Sequence, residues 1–327
     1  MLKHLLVSSF FLLPFCYGQS DWCPPIAAPF VQSVALQVDK TVDINSTLVC
    51  KQFVVPSDTT YHIIAWQPSI MSSNVDFINV FACDIASEEA FASRIGNFNE
   101  SKACGFVPSC SSLIVSWVPG MPKRCYGSDF GTPMGKHFYK MAIVQVGYKE
   151  ELKERDVAGI IIHFTPILRP NHKAVISVGQ KDIAIPPGVG KTVRSDHFEG
   201  NCSVEQLSPH STYRIVSTLF QTRRHDVYGR LFIRRNSTKI TLFDRRFRQN
   251  QPPFIAWEGS EQIVLEPGDA IEVECGYDTS RVQRWNFWGD ELCSVFVELY
   301  PQPRNRLYLN LEDLVSSALY KNNFVFF

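Results

Sequence analysis

From Val31 onward the chain is a succession of short apolar runs, each rich in β-branched or aromatic residues. Val31–Val38, Thr47–Val55, His62–Trp66, Phe77–Cys83, Leu113–Trp117, Phe138–Val146 and Gly159–Thr165 form one group. Ala174–Val178, Tyr213–Phe220, Leu231–Ile233, Lys239–Leu242, Ile263–Leu265, Ala270–Glu274 and Val295–Tyr300 form a second. Turn clusters such as Pro56-Ser57-Asp58 separate the runs. Short strands at regular spacing bury themselves by pairing sheet on sheet, so an all-β chain built of sandwiches or barrels is expected. Helical signals are nearly confined to Ser87–Arg94 and the tail. The segment Pro166–Asn171 interrupts the strands and reads as a connection. It divides the chain into a first sandwich at 24–166, a second at 171–302 and a C-terminal tail at 303–327.

The compartment follows from the first residues. Met1-Leu2-Lys3-His4 is a short basic start, Leu5–Phe15 is almost wholly apolar, and Cys16-Tyr17-Gly18 supplies small residues at both ends of a cleavage triplet. That order is expected of a secretory signal peptide over residues 1–18, cleaved after Gly18. No later stretch reaches the length of a membrane-spanning helix. Ten cysteines less Cys16 leave nine, an odd number for an oxidising compartment. Sequons at Asn45, Asn99, Asn201 and Asn236 fit the same compartment. Lys and Arg total 32 and so do Asp and Glu, so charge gives no argument for nucleic acid. The Arg cluster at Arg223, Arg224, Arg230, Arg234, Arg235, Arg245, Arg246 and Arg248 reads either as alternating charge on exposed strands or as a site for an acidic partner.

Several blocks in order carry a resemblance. They are Tyr61-His62-Ile63-Ile64-Ala65-Trp66-Gln67-Pro68, Val75–Cys83, Val144-Gln145-Val146-Gly147-Tyr148 and Asp182-Ile183-Ala184-Ile185-Pro186-Pro187-Gly188. Tyr213–Thr222 and Asp290-Glu291-Leu292-Cys293 continue the series. Together they resemble the type II, ascorbate-dependent copper monooxygenases, the peptidylglycine α-hydroxylating and dopamine β-hydroxylating enzymes. The resemblance covers about 30–301 and implies two tandem jelly-roll-like antiparallel β-sandwich domains with a cleft between them. It also implies one copper per sandwich, held by a His-His pair and a third His in the first, and by a His-x-His pair and a Met in the second. Imidazoles suit both oxidation states of copper, and a thioether favours the reduced one.

Carried over position by position, the ligands are absent. Asp76 and Phe77 stand at the His-His pair, Gly147 at the third His, Gln221 and Arg223 at the His-x-His pair, and Leu292 at the Met. Phe77, Gly147 and Leu292 have no side-chain lone pair, and Arg223 is a permanent cation. Asp76 alone does not make a copper site. His225, near the variable loop 222–229, is the one candidate replacement; His62, His137, His163, His172, His197 and His210 read as structural. Leu219 matches an Arg that grips a peptide carboxylate in the peptide-acting branch, and Ser294 and Phe296 match an Asn and a Tyr that assist it.

The resemblance further implies disulfides Cys50–Cys104, Cys83–Cys110 and Cys275–Cys293. Cys23 and Cys125 are then a candidate pair, and Cys202 is the odd thiol, buried or free to bridge two chains. Three readings follow. In the first, the chain is a secreted, inactive homologue that binds an unknown protein or small ligand, with no catalytic residue, metal or cofactor. In the second, it is an active copper- and ascorbate-dependent monooxygenase with an atypical site. In the third, it is an extracellular structural protein linked as a dimer through Cys202.

Overall fold

A computed structural model describes residues 23–42, 44–83, 98–104, 110, 112–180, 183–188, 192–196, 211–221, 225–247, 251–285 and 293–303. The helix expected at Ser87–Arg94, the signal peptide expected at 1–18 and the tail beyond Pro303 lie outside these residues, as do Cys202 and Asn201.

The chain is all-β, two antiparallel sandwiches in tandem. In the first half the strands are β1 (Gln32–Lys40), β2 (Leu48–Val54), β3 (Thr60–Ser69), β4 (Val75–Cys83) and β5 (Lys102–Ala103). There follow β6 (Ser112–Trp117), β7 (Arg124–Cys125), β8 (Phe130–Gly135), β9 (Met141–Tyr148), β10 (Asp156–Thr165) and β11 (Asn171–His172). One sheet has the order β1-β10-β3-β8-β11 with β7 on β3, and the facing sheet the order β5-β2-β9-β4-β6. The second half contributes β12 (Ala174–Gln180), β13 (Thr192–Asp196), β14 (Tyr213–Gln221), β15 (Asp226–Arg235) and β16 (Thr238–Arg246). It ends with β17 (Phe254–Ala256), β18 (Ile263–Leu265), β19 (Ala270–Tyr277) and β20 (Cys293–Tyr300). Its sheets run β12-β20-β14-β17, with β18 on β14, and β13-β19-β15-β16.

Alternation explains each core. In β4 and β9, Ile78, Val80, Val144 and Val146 point inward against Val38, Ile63 and Ile160 of the facing sheet. In the second sandwich Leu231, Ile271 and Val273 meet Ile215, Val295 and Val297. The run expected at Phe138–Val146 begins later, because Lys136–Tyr139 form the turn out of β8. Strand β8 was not legible: Gly131 and Pro133 argue against a strand, yet it pairs with β3 from Thr60↔Gly135 to Ile63↔Thr132.

Strand β20 serves two cores. Val295, Val297 and Leu299 face their own sandwich. Phe296 and Tyr300, with Val216 and Leu219 of β14, join the hydrophobic cluster of the first. Burying such a side chain is worth about 1.5–3 kcal/mol, so this face holds the sandwiches together along β3, β7 and β8. Phe130 and Tyr300 stack across it with ring centroids 4.6 Å apart.

One further detail recurs in both halves. Phe77 follows a bulge in β4 and lies opposite Gly147 of β9. Tyr228 follows a bulge in β15 and lies opposite Gly276 of β19. In each pair the ring rests on the glycine: an added Cβ would fall 2.2 Å from the Phe77 ring or 2.1 Å from that of Tyr228. The aromatic thus supplies the packing that the glycine lacks.

Four disulfides bind the frame: Cys23–Cys125, Cys50–Cys104, Cys83–Cys110 and Cys275–Cys293. Cys275–Cys293 ties β19 to β20 and so joins the two sheets of the second sandwich. The arginines of β15 are paired to carboxylates: Arg230 with Asp244 at 3.2 Å, Arg234 with Glu272 at 2.8 Å, and Arg235 with Asp269 at 2.7 Å. For these three the alternating-charge reading describes the geometry. Arg223, Arg224 and Arg248 lie outside the described residues.

Candidate functional site

The first set of ligand-equivalent positions lies where β4 meets the end of β9. The ladder runs Val75↔Tyr148, then Phe77↔Gly147, leaving Asp76 as the extra residue of the bulge. The bulge turns Asp76 out to solvent and Phe77 in toward β9. Atoms Cε1, Cδ1 and Cζ of Phe77 would lie 2.2–2.6 Å from a Cβ at position 147. The volume into which a side chain at 147 would grow is therefore filled by the ring of 77.

Beside this pair sits a buried polar group. Lys40 of β1, almost fully buried, lies 5.3 Å from the Tyr148 ring centre, and its cross-strand partner is Asp156. Burial, with the nearby Asp156 carboxylate, pushes the Tyr148 phenol far up and keeps it neutral. None of these groups is a copper ligand of the expected kind.

The second set is at the end of β14. Gln221 pairs with Ser294 of β20 and is half-buried; Arg223 and Leu292 lie outside the described residues. Leu219 and Phe296 are cross-strand neighbours with only 5% and 6% of their surface exposed. Both belong to the packing between the sandwiches, so the positions matched to substrate-gripping residues are core here. Ser294 is fully buried, its Oγ 3.0 Å from that of Ser177. His225 precedes β15, and its carbonyl accepts the Asp278 amide proton. Among the described residues no three His, Cys, Asp or Glu side chains converge as a metal site. The residues present at Asp76, Phe77, Gly147 and Gln221 do not fit copper.

What the structure does gather is a charged network between the sandwiches. Glu298, on the face of β20 that meets the first sandwich, accepts from Lys173 Nζ, from Ser217 Oγ at 2.6 Å and from Tyr126 Oη at 3.3 Å. Arg124 Nη2 lies 3.9 Å from the same carboxylate, and Trp66 Nε1 donates to Tyr126 Oη at 3.0 Å. The Lys173 side chain is wholly buried, its ammonium 4.7 Å from the Tyr126 ring centre. Burial by itself would raise the Glu298 carboxyl; the charges of Lys173 and Arg124 and the hydrogen bonds outweigh it and hold the carboxyl below its ordinary range. Burial likewise opposes the Lys173 cation, and Glu298 more than compensates. Sequence reading missed this network. Its signal was Glu298 inside an otherwise apolar alternation, Phe296-Val297-Glu298-Leu299-Tyr300, on a face that would otherwise be read as solvent-exposed. A cavity of about 30 Å³ adjoins it, lined in part by Thr132, Tyr139, Lys173 and Pro303, room for a water or two. Along this face the expected interdomain cleft is closed.

Comparison with known proteins agrees with the resemblance. Residues 34–155 match the family model described as copper type II ascorbate-dependent monooxygenase, N-terminal domain. The chain is 24% identical to rat dopamine beta-hydroxylase over 316 residues, covering 87% of this chain and 50% of the relative. It is 23% identical to Drosophila melanogaster MOXD1 homolog 2, over 78% of this chain and 36% of the relative. It is also 23% identical to mouse DBH-like monooxygenase protein 2, over 82% and 48%. The chain spans half or less of the length of these relatives. The six landmark blocks in order, the all-β tandem sandwich and these relatives together support kinship with the copper type II, ascorbate-dependent monooxygenases, whose N-terminal domain the first sandwich matches.

Proposed function

We propose that this chain is a secreted, catalytically inactive relative of the copper monooxygenases that acts by binding a protein or small ligand. The observation that carries this reading is the Phe77 ring seated on Gly147. A third imidazole needs that space, and an aromatic ring in it brings no lone pair. Gln221 is a poor ligand, and Arg223 and Leu292 offer a cation and an alkyl group where copper needs imidazole and thioether. Four disulfides and exposed sequons at Asn45, Asn99 and Asn236 support passage through an oxidising, glycosylating compartment after removal of residues 1–18. Asn236 occupies the two-residue turn between β15 and β16 with φ of 54°, a hairpin tip open to a glycan. Units at 24–166 and 171–302 are the proposed domains, with Asn171–His172 at the start of the second pairing onto β8 of the first.

The test is elemental analysis of the purified protein after copper loading and extensive dialysis. The expected content is well below one copper per chain, with no ascorbate-dependent oxygen consumption. Near two coppers per chain would overturn the reading. It would restore the monooxygenase alternative, which the match over 34–155 favours.

A further inference from the structure

Strand β3 buries His62 completely, against the backbone of Gly131 in β8. Strand β11 brings His172 to it from the connection between the sandwiches, with His62 Nε2 and His172 Nδ1 2.7 Å apart. The other ring nitrogen, His62 Nδ1, accepts the backbone N–H of Arg169 at 3.0 Å. These contacts assign the protons. Nδ1 of His62 faces a donor and is bare, so the proton of neutral His62 is on Nε2 and is given to Nδ1 of His172.

The arrangement has no place for a second proton. On His62 Nδ1 it would face the Arg169 N–H. On His172 Nδ1 it would face the Nε2 proton, and moving that proton to Nδ1 recreates the first conflict. One added proton therefore breaks one of the two hydrogen bonds.

Around the pair, the Arg169 guanidinium donates to the carbonyls of Tyr126 at 3.1 Å and Phe130 at 2.8 Å. Burial most of all, then His172 and the Arg169 charge, disfavour a cation on His62. Asp129 attracts Arg169 and accepts the Asn171 amide through its backbone oxygen at 3.1 Å. Phe138 packs on His172 with centroids 4.9 Å apart; His137 is its exposed neighbour in the same turn. The bonded segment leads directly into Lys173, whose backbone is tied to Gly131 and whose ammonium meets Glu298.

We propose that the His62–His172 pair is a proton-operated latch on the 166–172 connection. In its neutral form it clamps the connection to β3 and β8. Uptake of one proton releases the segment and slackens the contact that Lys173 makes with β20.

The test uses the full chain. Long-range proton–nitrogen correlation at pH 7.5 should find His62 protonated at Nε2 alone. Hydrogen exchange of residues 166–173, corrected for intrinsic pH dependence, should lose roughly 25-fold in protection between pH 7.5 and 5.0. That is the factor for one histidine titrating at about 4 when closed and 6.5 when open. Protection in β15 should hold over the same range. His62→Asn keeps an oxygen for the Arg169 N–H and removes one of the two titrating rings, leaving His172, so its protection should fall much less over this range than that of the wild type. A proton on His62 Nδ1 at pH 7.5, unchanged wild-type protection, an equal loss in β15, or a pH response in His62→Asn as large as in the wild type would each overturn the proposal. Where that variant does not fold, the tautomer and the wild-type pH response decide.

Discussion

Replacing Glu298 by Ala is expected to lower the unfolding free energy by about 3–5 kcal/mol, read as a shift of the urea midpoint at unchanged slope. The substitution removes one carboxylate but strands a wholly buried ammonium, Lys173, together with Arg124 and Ser217. A buried charge without its partner costs far more than the pair contributed. Glu298→Gln should cost less, because the amide oxygen still accepts from Ser217 or Lys173. Removing both charges, with Lys173→Met and Glu298→Leu, should recover much of the loss. Recovery is the informative arm: a network that mattered only through packing would lose more in the double variant than in either single. The pH dependence has a definite sign. A carboxyl held below its ordinary value of 4.5 contributes stability that is complete above that pH and disappears as pH falls through the depressed folded value. The wild type should therefore lose stability below about pH 4.5 more steeply than Glu298→Gln.

The second large effect concerns Gly147. Restoring the family's residue type there, Gly147→His, should destabilise the fold by about 1–3 kcal/mol, the cost of overpacking. Its Cβ would lie 2.2 Å from the Phe77 ring, which must swing off β9. Phe77→His alone should also destabilise, because Gly147 would lose its cover. The two changes together should be less harmful than their sum, with a coupling of about 0.5–3 kcal/mol in a double-mutant cycle. Simple additivity would mean that ring and glycine are independent. The double variant also provides a second copper assay: a gain in bound copper over wild type, with neither single variant gaining, is expected if occupancy of this space bars the metal.

Much of the fold was legible because sandwiches repeat a period of two. Runs such as Gly159–Thr165 and Val295–Tyr300 carry apolar residues on both faces, and both proved central strands. Strand β8 escaped because Gly131 and Pro133 carry strong turn signals; only its tertiary place between β3 and β11 overrides them. At the site, identities were readable but consequences were not. Nothing in the sequence says that Phe77 and Gly147, 70 positions apart, are one packing unit. His62 was read as a structural residue, but its partner His172 is 110 residues away and no local spacing announces it. The Lys173–Glu298 contact was hidden for the same reason: alternation tells which residues share a face of β20, not what that face will meet.

The double duty of β20 has a consequence for how the chain is made. Every strand of the first sandwich, β11 included, has been synthesised by His172. The outer face around Tyr126 and Phe130 is completed by residues 293–300, the last strand among the described residues. At roughly 5–20 residues per second, that aromatic surface waits on the order of ten seconds for its cover. During that interval it is open to chaperones, or to the β20 of another copy, and domain exchange is the hazard that such a late, shared strand creates.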